Sequence, residues 1–310
     1  MNYGIPYMGS KSKIVKEICS VFPNADNFYD LFGGGFSVSH FMIKHMSKDY
    51  KEFHFNEIRP GVCDLIKDAI SGKYNYNVFK PEFVDREVFN REKYNSAYIR
   101  FCWSFGNNGE NYLFGKDSEP KKKSFHNAVV FNRFDDYAKE VLGIDHFFDN
   151  QGITERRLFC RSKIASYYKL GYSSDDILNL EQLEQLQRLQ RLQQLQQLQQ
   201  LQQLQFYNKD YRDIFIKDNS IVYCDIPYKG TACYGNEFNH DEFFNWACEQ
   251  KNPVFISEYE IIDKRFYKLK EIDKISLLCA TNKRTVKKER LYVNKAGFIK
   301  ILSNRTKNKY

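Results

Sequence analysis

The sequence predicts an α/β protein with a mostly parallel sheet and an inserted helical subdomain, on three observations. A buried, strand-like run from Asn27 to Phe32 enters the glycine turn Gly33-Gly34-Gly35 and then a helical stretch. An aromatic-rich, helix-patterned region follows from Val62 to about Ser166. Strand character returns at Ser220 to Asp225, Pro253 to Tyr259 and Glu289 to Val293, with a helical stretch from Asp241 to Gln250. Strands alternating with helices build parallel sheets.

Taken in order, the N-terminus Met1-Asn2-Tyr3-Gly4-Ile5-Pro6 lacks a charged segment followed by an apolar one, and no run approaches the roughly 18 to 20 apolar residues of a membrane span. A cytoplasmic location is therefore expected. After the glycine turn, Phe36 to Met46 carries apolar residues at near-helical spacing. Phe53 to Ile58 reads as a second strand, stopped by Arg59-Pro60-Gly61, with the acid Glu57 near its end. Arg91 to Ser104 and Phe131 to Leu142 read as helical, separated by the polar loop Phe105-Gly106-Asn107-Asn108-Gly109. The expected division is a core of residues 1–62 and 207–310, an inserted subdomain of 63–177, and a repeat insert of 178–206.

The repeat places Leu at every third position from Leu180 to Leu204, spaced mainly by Gln. Both residues favour helix. Three residues at about 100° each advance only about 300°, so on a continuing α-helix the Leu stripe slips by roughly 60° per repeat and circles the axis. This is not a heptad. A spacer, a packing element, a route to self-association of an otherwise monomeric chain, and a repeating strand-and-turn structure all remain open.

The formal charge of +8 is uneven. From Asp263 to Tyr310 there are fifteen Lys and Arg against four Asp and Glu, and Lys283, Arg284, Lys287, Lys288 and Arg290 lie close together. Such a segment suits phosphate neutralisation or simply a solvated face. The eight cysteines, Cys19, Cys63, Cys102, Cys160, Cys224, Cys233, Cys248 and Cys279, form no CxxC pair and have no His at ligand spacing. They read as reduced, mostly buried small hydrophobes, with no metal site expected.

Two constellations carry chemistry. In Asp30-Leu31-Phe32-Gly33-Gly34-Gly35-Phe36, small residues let the backbone turn tightly against a ligand. Glu57, at the end of the next strand, is placed to accept from two ribose hydroxyls. The GxGxxG spacing of dinucleotide enzymes is absent, so a cofactor without a pyrophosphate, such as S-adenosylmethionine, fits better. The second constellation, Asp225-Ile226-Pro227-Tyr228, puts an acid at the carboxyl end of a strand before a proline and an aromatic ring. An adenine amine is a poor nucleophile because its lone pair is delocalised into the ring. Asp225 and the Ile226 carbonyl could each accept one amine hydrogen while Tyr228 stacks on an extruded base. Read without its context, the same segment is a strand end with a turn-forming proline.

In these residues the chain resembles the Dam-type DNA adenine methyltransferases, especially phage and prophage members. Ile5-Pro6-Tyr7-Met8-Gly9-Ser10-Lys11 resembles the family's N-terminal block, Asp30 to Phe36 its cofactor motif, Glu57 its ribose acid and Asp225 to Tyr228 its catalytic DPPY. Ser104 to Gly109 resembles its Asn-Gly recognition loop, and Ile256-Ser257-Glu258-Tyr259 a later core strand. The resemblance implies a Rossmann-like S-adenosylmethionine-dependent methyltransferase sheet with an inserted helical DNA-recognition subdomain, acting on double-stranded DNA. It implies cofactor contacts at Tyr7, Lys11, Asp30, Phe32, Gly33, Gly35, Glu57 and Asp225, catalysis by Asp225, Ile226, Pro227 and Tyr228, and DNA contacts at Asn107, Asn108 and Gly109. Ile226 departs from the pattern by replacing the first proline of DPPY. An RNA adenine methyltransferase and a decayed nucleic-acid-binding homologue are the alternatives.

Overall fold

Seven strands make one sheet in the computed structural model, which describes residues 2–168, 183–199, 203–228, 238–276 and 285–307. They are β1 (Asn27–Asp30), β2 (Glu52–Asn56), β3 (Leu204–Tyr207), β4 (Ser220–Cys224), β5 (Val254–Glu258), β6 (Tyr267–Ser276) and β7 (Thr285–Val293). Their order is β3-β2-β1-β4-β5-β7-β6. The first five run parallel, and β7 lies antiparallel between β5 and β6. This is the Rossmann-like α/β sheet that the sequence predicts, with its strand order reversing between β1 and β4. All residues of β1, β4 and β5 are buried, which is why these segments read as continuous apolar runs rather than alternating ones.

The helices are α1 (Val15–Cys19), α2 (Ser37–Met46), α3 (Val62–Ile70), α4 (Arg86–Glu92), α5 (Ala97–Cys102), α6 (Glu119–Phe131), α7 (Asp136–Leu142), α8 (Ile153–Tyr168), α9 (Glu184–Gln193), α10 (His240–Glu249) and α11 (Lys295–Lys307). The chain divides into two compact units: Met1–Gly4 with Gly9–Cys63 and Gln200–Tyr310, and Ile5–Met8 with Asp64–Gln199. The sheet belongs to the first. In the second, Phe125, Val129, Val141, Leu142, Ile164 and Leu186 belong to one apolar core.

Several boundaries differ from the sequence expectation for local reasons. Phe36 sits at φ 67°, outside helical space, so α2 starts at Ser37. The expected helix from Arg91 to Ser104 is two helices, because Ser96 leaves helical dihedrals and its Oγ caps Ile99 N–H at 3.3 Å. The stretch from Phe131 to Leu142 likewise breaks where Asn132 turns left-handed at φ 56° and Asp135 caps Ala138 N–H at 2.8 Å. β6 was not anticipated: it is an edge strand, and Lys268, Lys270 and Glu271 dilute its apolar signal as edge charges do. β3 hides in the last residues of the Leu-Gln repeat.

The described part of the repeat resolves the slipping-stripe problem by changing helix type. α9 lasts ten residues, so the stripe turns through only about 120° from Leu186 to Leu192. The chain then tightens into a 3₁₀ helix, Gln194–Leu198, where residues three apart eclipse. Leu183, Leu186, Leu189, Leu192, Leu195 and Leu198 are consequently all buried. The spacers hydrogen-bond within the same unit: Gln193 donates to the Tyr74 carbonyl at 2.8 Å, and Gln196 accepts from Asn75 at 2.9 Å. The segment is a packing element of the second unit. Leu180, Leu201, Cys233, Cys279, Lys283 and Arg284 lie outside the described residues.

Five of the remaining cysteines are buried and Cys248 partly so, all as free thiols. Burial pushes the Cys102 and Cys160 thiols up to about 12. Among the described residues no helix is long and apolar enough to cross a membrane, and no group of three or more His, Cys, Asp or Glu is placed to hold a metal ion.

Candidate active site

The two sequence constellations meet at the carboxyl edge of the sheet, where the strand order reverses. In the β1–β4 register Asp30 pairs with Tyr223, so Asp225 follows two residues further on, just past the end of β4. The glycine turn then folds back over β2. Gly33 N–H donates to the Asn56 carbonyl at 2.9 Å, and Asn56 Nδ2 donates to the Leu31 carbonyl at 2.9 Å. A Cβ on Gly33 would lie 2.0 Å from the Phe55 ring, so no other residue fits there without moving that buried ring. Gly34 holds φ 48°. Gly35 is buried, and a Cβ on Gly4 would come within 2.1 Å of its carbonyl oxygen. Phe32 is half-buried among Tyr211, Phe238 and Phe243.

Three acids share this crevice. Asp30 is buried, and its Oδ2 accepts from the Ser39 hydroxyl at 2.7 Å. Burial, opposed by Ser39 and assisted by the charges of Asp225 and Glu57, pushes its carboxyl up to about 7. Its Oδ1 is buried and has no hydrogen-bond partner among the described residues. Glu57 Oε2 accepts from Gly34 N–H at 2.7 Å and Oε1 from Arg59 N–H at 2.9 Å. Burial raises the Glu57 carboxyl, against the hydrogen bonds from Arg59 and Gly34, and the Asp225 charge adds to the rise. Asp225 therefore stands close enough to both acids to repel their charges.

Asp225 is the one exposed member, its side chain 22% accessible. The buried Lys11 places Nζ 2.6 Å from its carboxylate. The Tyr228 hydroxyl lies 3.2 Å from Asp225 Oδ1 and also donates to Glu289 Oε1. Lys11 Nζ sits 4.9 Å from the Tyr228 ring centroid and 3.5 Å from Glu289. Burial, reinforced by Asp225 and Glu289, holds the Tyr228 phenol well above its usual range, so it remains a protonated donor. Tyr259 packs edge-on against the Tyr228 ring at 4.5 Å. The Ile226 side chain is buried in the core with Leu31, Val222 and Ile256, which accounts for an apolar residue in the place of a proline. The Pro227 carbonyl accepts from His240 Nε2 at 2.8 Å. Sequence reasoning missed Glu289. The available signal was an acid in the same alternating row as the buried Leu291 and Val293.

The remaining sequence-predicted residues lie in the second unit. Tyr7 is buried there with its ring 5.1 Å from Phe101. Ser104 and Tyr112 form an antiparallel bridge beneath the polar loop. Asn108 Oδ1 accepts from the Glu110 and Asn111 amides at 2.8 and 3.1 Å, and Gly109 N–H donates to Ser104 Oγ at 2.9 Å. Asn107 and Gly106 hold φ 56° and 59°. Asn108 and Gly109 thus shape the loop, while Phe105 is its outward side chain at 58% exposure. Arg188 anchors the loop base, its Nη1 donating to the carbonyls of Cys102 at 2.9 Å and Ser104 at 2.7 Å.

The crevice residues suit S-adenosylmethionine. The orphaned Asp30 Oδ1 and the neighbouring carboxylates favour a cation, and each Glu57 oxygen keeps a lone pair for a ribose hydroxyl. A Rossmann-like sheet with this crevice and an Asp-x-Pro-aromatic loop after β4 defines an S-adenosylmethionine-dependent methyltransferase. A model of the D12 class N6 adenine-specific DNA methyltransferases matches residues 7–251, and the chain belongs to that family. Among solved structures it is similar to the rRNA methyltransferase aviRa from Streptomyces viridochromogenes, with 10% identity, 93% of this chain and 85% of that chain covered, and a TM-score of 0.36. No curated protein matches the chain.

Proposed function

We propose that this DNA adenine methyltransferase is of the Dam type found in phages and prophages, and that it works on an adenine swung out of the duplex. The observation that carries the reading is Asp225 at the tip of β4, partly exposed, with Lys11 and Tyr228 on its carboxylate. Asp30, Phe32, Gly33, Gly35 and Glu57 would hold S-adenosylmethionine with Lys11 and Asp225. Bound there, the cofactor supplies an electrophilic methyl carbon on a sulfonium.

The chain's own work is to hold the amine. The Asp225 carboxylate and the Ile226 carbonyl each accept one amine hydrogen, which pulls the nitrogen toward tetrahedral geometry and aims its lone pair. Pro227 stiffens the loop and is held through its carbonyl by His240. The Tyr228 ring stacks on the base. No strong base is needed before attack, because the proton leaves a nitrogen that has become cationic. Asn107, Asn108 and Gly109 belong to the loop assigned to DNA recognition, and the basic stretch near the C-terminus would neutralise phosphates.

The test is incorporation of labelled methyl groups into duplex DNA, single-stranded DNA and RNA of defined sequence, with wild type and Asp225→Ala. Duplex DNA should be the preferred acceptor, with N6-methyladenine the product. Asp225→Ala should lose transfer by about a hundred- to a thousandfold, in line with removal of a transition-state hydrogen bond, while cofactor binding measured by calorimetry falls far less. Undiminished turnover in that variant would overturn the mechanism, and a preference for RNA would overturn the substrate.

A further inference from the structure

We propose that Glu289 is a positioning residue of this site: it holds the Tyr228 hydroxyl and the Lys11 ammonium so that the Asp225 carboxylate is free to take the target amine. The inference rests on the reading of Asp225 to Tyr228 as the methyl-transfer loop.

The first observation is the placement of Glu289. It is 1% exposed, in a strand row whose next members, Leu291 and Val293, are apolar and buried. Burying a carboxylate is costly unless charge and hydrogen bonds compensate it, so a buried acid here calls for a partner. β7 provides the geometry. It runs antiparallel to β5, with Glu258 opposite Arg290, so Glu289 falls just past the carboxyl end of β5, on the edge where Asp225 follows the end of β4.

The second observation is a competition for partners. Lys11 and Tyr228 both engage Asp225, at 2.6 and 3.2 Å. Those are the oxygens an amine must reach. Both groups also face Glu289: Tyr228 donates to Oε1, and Lys11 Nζ is 3.5 Å away. A phenol has one proton and can satisfy only one of the two acids at a time. Glu289 Oε2, meanwhile, is buried and has no hydrogen-bond partner among the described residues. The site therefore contains a second acceptor with unused capacity, beside the two groups that occupy the first. As amine hydrogens arrive at Asp225, the Tyr228 proton stays with Glu289 and Lys11 shifts its contact toward Oε2. The ring of Tyr228 is pinned at its hydroxyl end and the net charge of the buried cluster is unchanged.

The test is a double-mutant cycle on the full-length protein, reading kcat, KM for DNA and cofactor affinity for wild type, Glu289→Ala, Glu289→Gln, Tyr228→Phe, both double variants and Asp225→Ala. Glu289→Ala should lower kcat by about ten- to a hundredfold in the Tyr228 background, the value of one hydrogen bond to a charged group, with cofactor affinity little changed. In the Tyr228→Phe background the same change should lower kcat by a clearly smaller factor, because the hydroxyl contact is gone and only the Lys11 contact is left to lose. Glu289→Gln keeps the shape and one acceptor, and should fall between wild type and Glu289→Ala. If Glu289→Ala does not fold, Glu289→Gln must still lower kcat, and by a larger factor in the Tyr228 background than in the Tyr228→Phe background. Equal losses in both backgrounds would mean a purely structural role and would overturn the proposal, as would wild-type kcat in either Glu289 variant. Loss of transfer in Asp225→Ala alongside wild-type Glu289 variants would sink this inference alone, whereas retained transfer in Asp225→Ala would sink the reading beneath it.

Discussion

Replacing Asp30 with Asn removes one ionisation from a buried position while keeping the side chain's shape and a hydrogen bond to Ser39. Burial is the leading reason that the Asp30 carboxyl is pushed up to about 7, with Asp225 and Glu57 adding to it. The folded protein therefore keeps this proton from the ordinary aspartate value of 3.8 up to about 7, while the unfolded chain gives it up. Across that window the native state binds more protons, so its stability falls as pH rises. At about 1.4 kcal/mol per pH unit, the ionised side chain costs on the order of a few kcal/mol above pH 7. Asp30→Asn should match wild type near pH 4 and exceed it by that amount at pH 8, measured by urea unfolding across the range. The wild-type curve alone is not diagnostic, because His54 and His126, both lowered to about 4 by burial, lose stability in the opposite direction as pH falls below their ordinary value of 6.5. The difference between the two proteins isolates Asp30. A difference that stays constant with pH, or a variant less stable than wild type at pH 8, would refute the argument.

Three further outcomes follow from the packing. Ile226→Ala removes a side chain buried in the main core and should lose about 2 to 5 kcal/mol in chemical unfolding; an unchanged midpoint would show that Ile226 contributes only its carbonyl. Gly33→Ala sets a methyl group 2.0 Å from the Phe55 ring and should abolish cofactor binding or folding; a stable variant that binds S-adenosylmethionine normally would mean the turn has room that its geometry denies. Arg188→Ala strands the carbonyls of Cys102 and Ser104 and should destabilise the protein by about 1 to 3 kcal/mol. It should also weaken DNA binding in a mobility-shift assay, and wild-type affinity would separate the loop from recognition.

How much was legible in the sequence depended on whether the signal was local. The turn at Gly33 to Gly35 and the loop at Asp225 to Tyr228 announced themselves because each is a pattern of particular residues within a few positions. The breaks at Ser96 and Asn132 were also local, but they were masked by flanking residues with good helical pattern. The Leu triplets misled in a different way. Their slip is real for a long α-helix, and the protein avoids it by stopping α9 early and continuing as 3₁₀, a change that no single repeat encodes.

The site's charges needed the sheet. Lys11 and Asp225 are 214 positions apart, and the strand order makes them neighbours once β1 and β4 lie side by side at the reversal point. Glu289 required still more, because its relevance depends on β7 running backwards. Were β7 parallel to β5, a residue four positions before the end of the strand would lie away from the carboxyl edge. Antiparallel pairing instead sends the early part of the strand to that edge, which is how an acid in a buried apolar row comes to sit beside Tyr228. A parallel sheet gathers its ligand site from strand ends, and the one antiparallel strand inserted beside β5 lets this protein add a residue from a strand's interior.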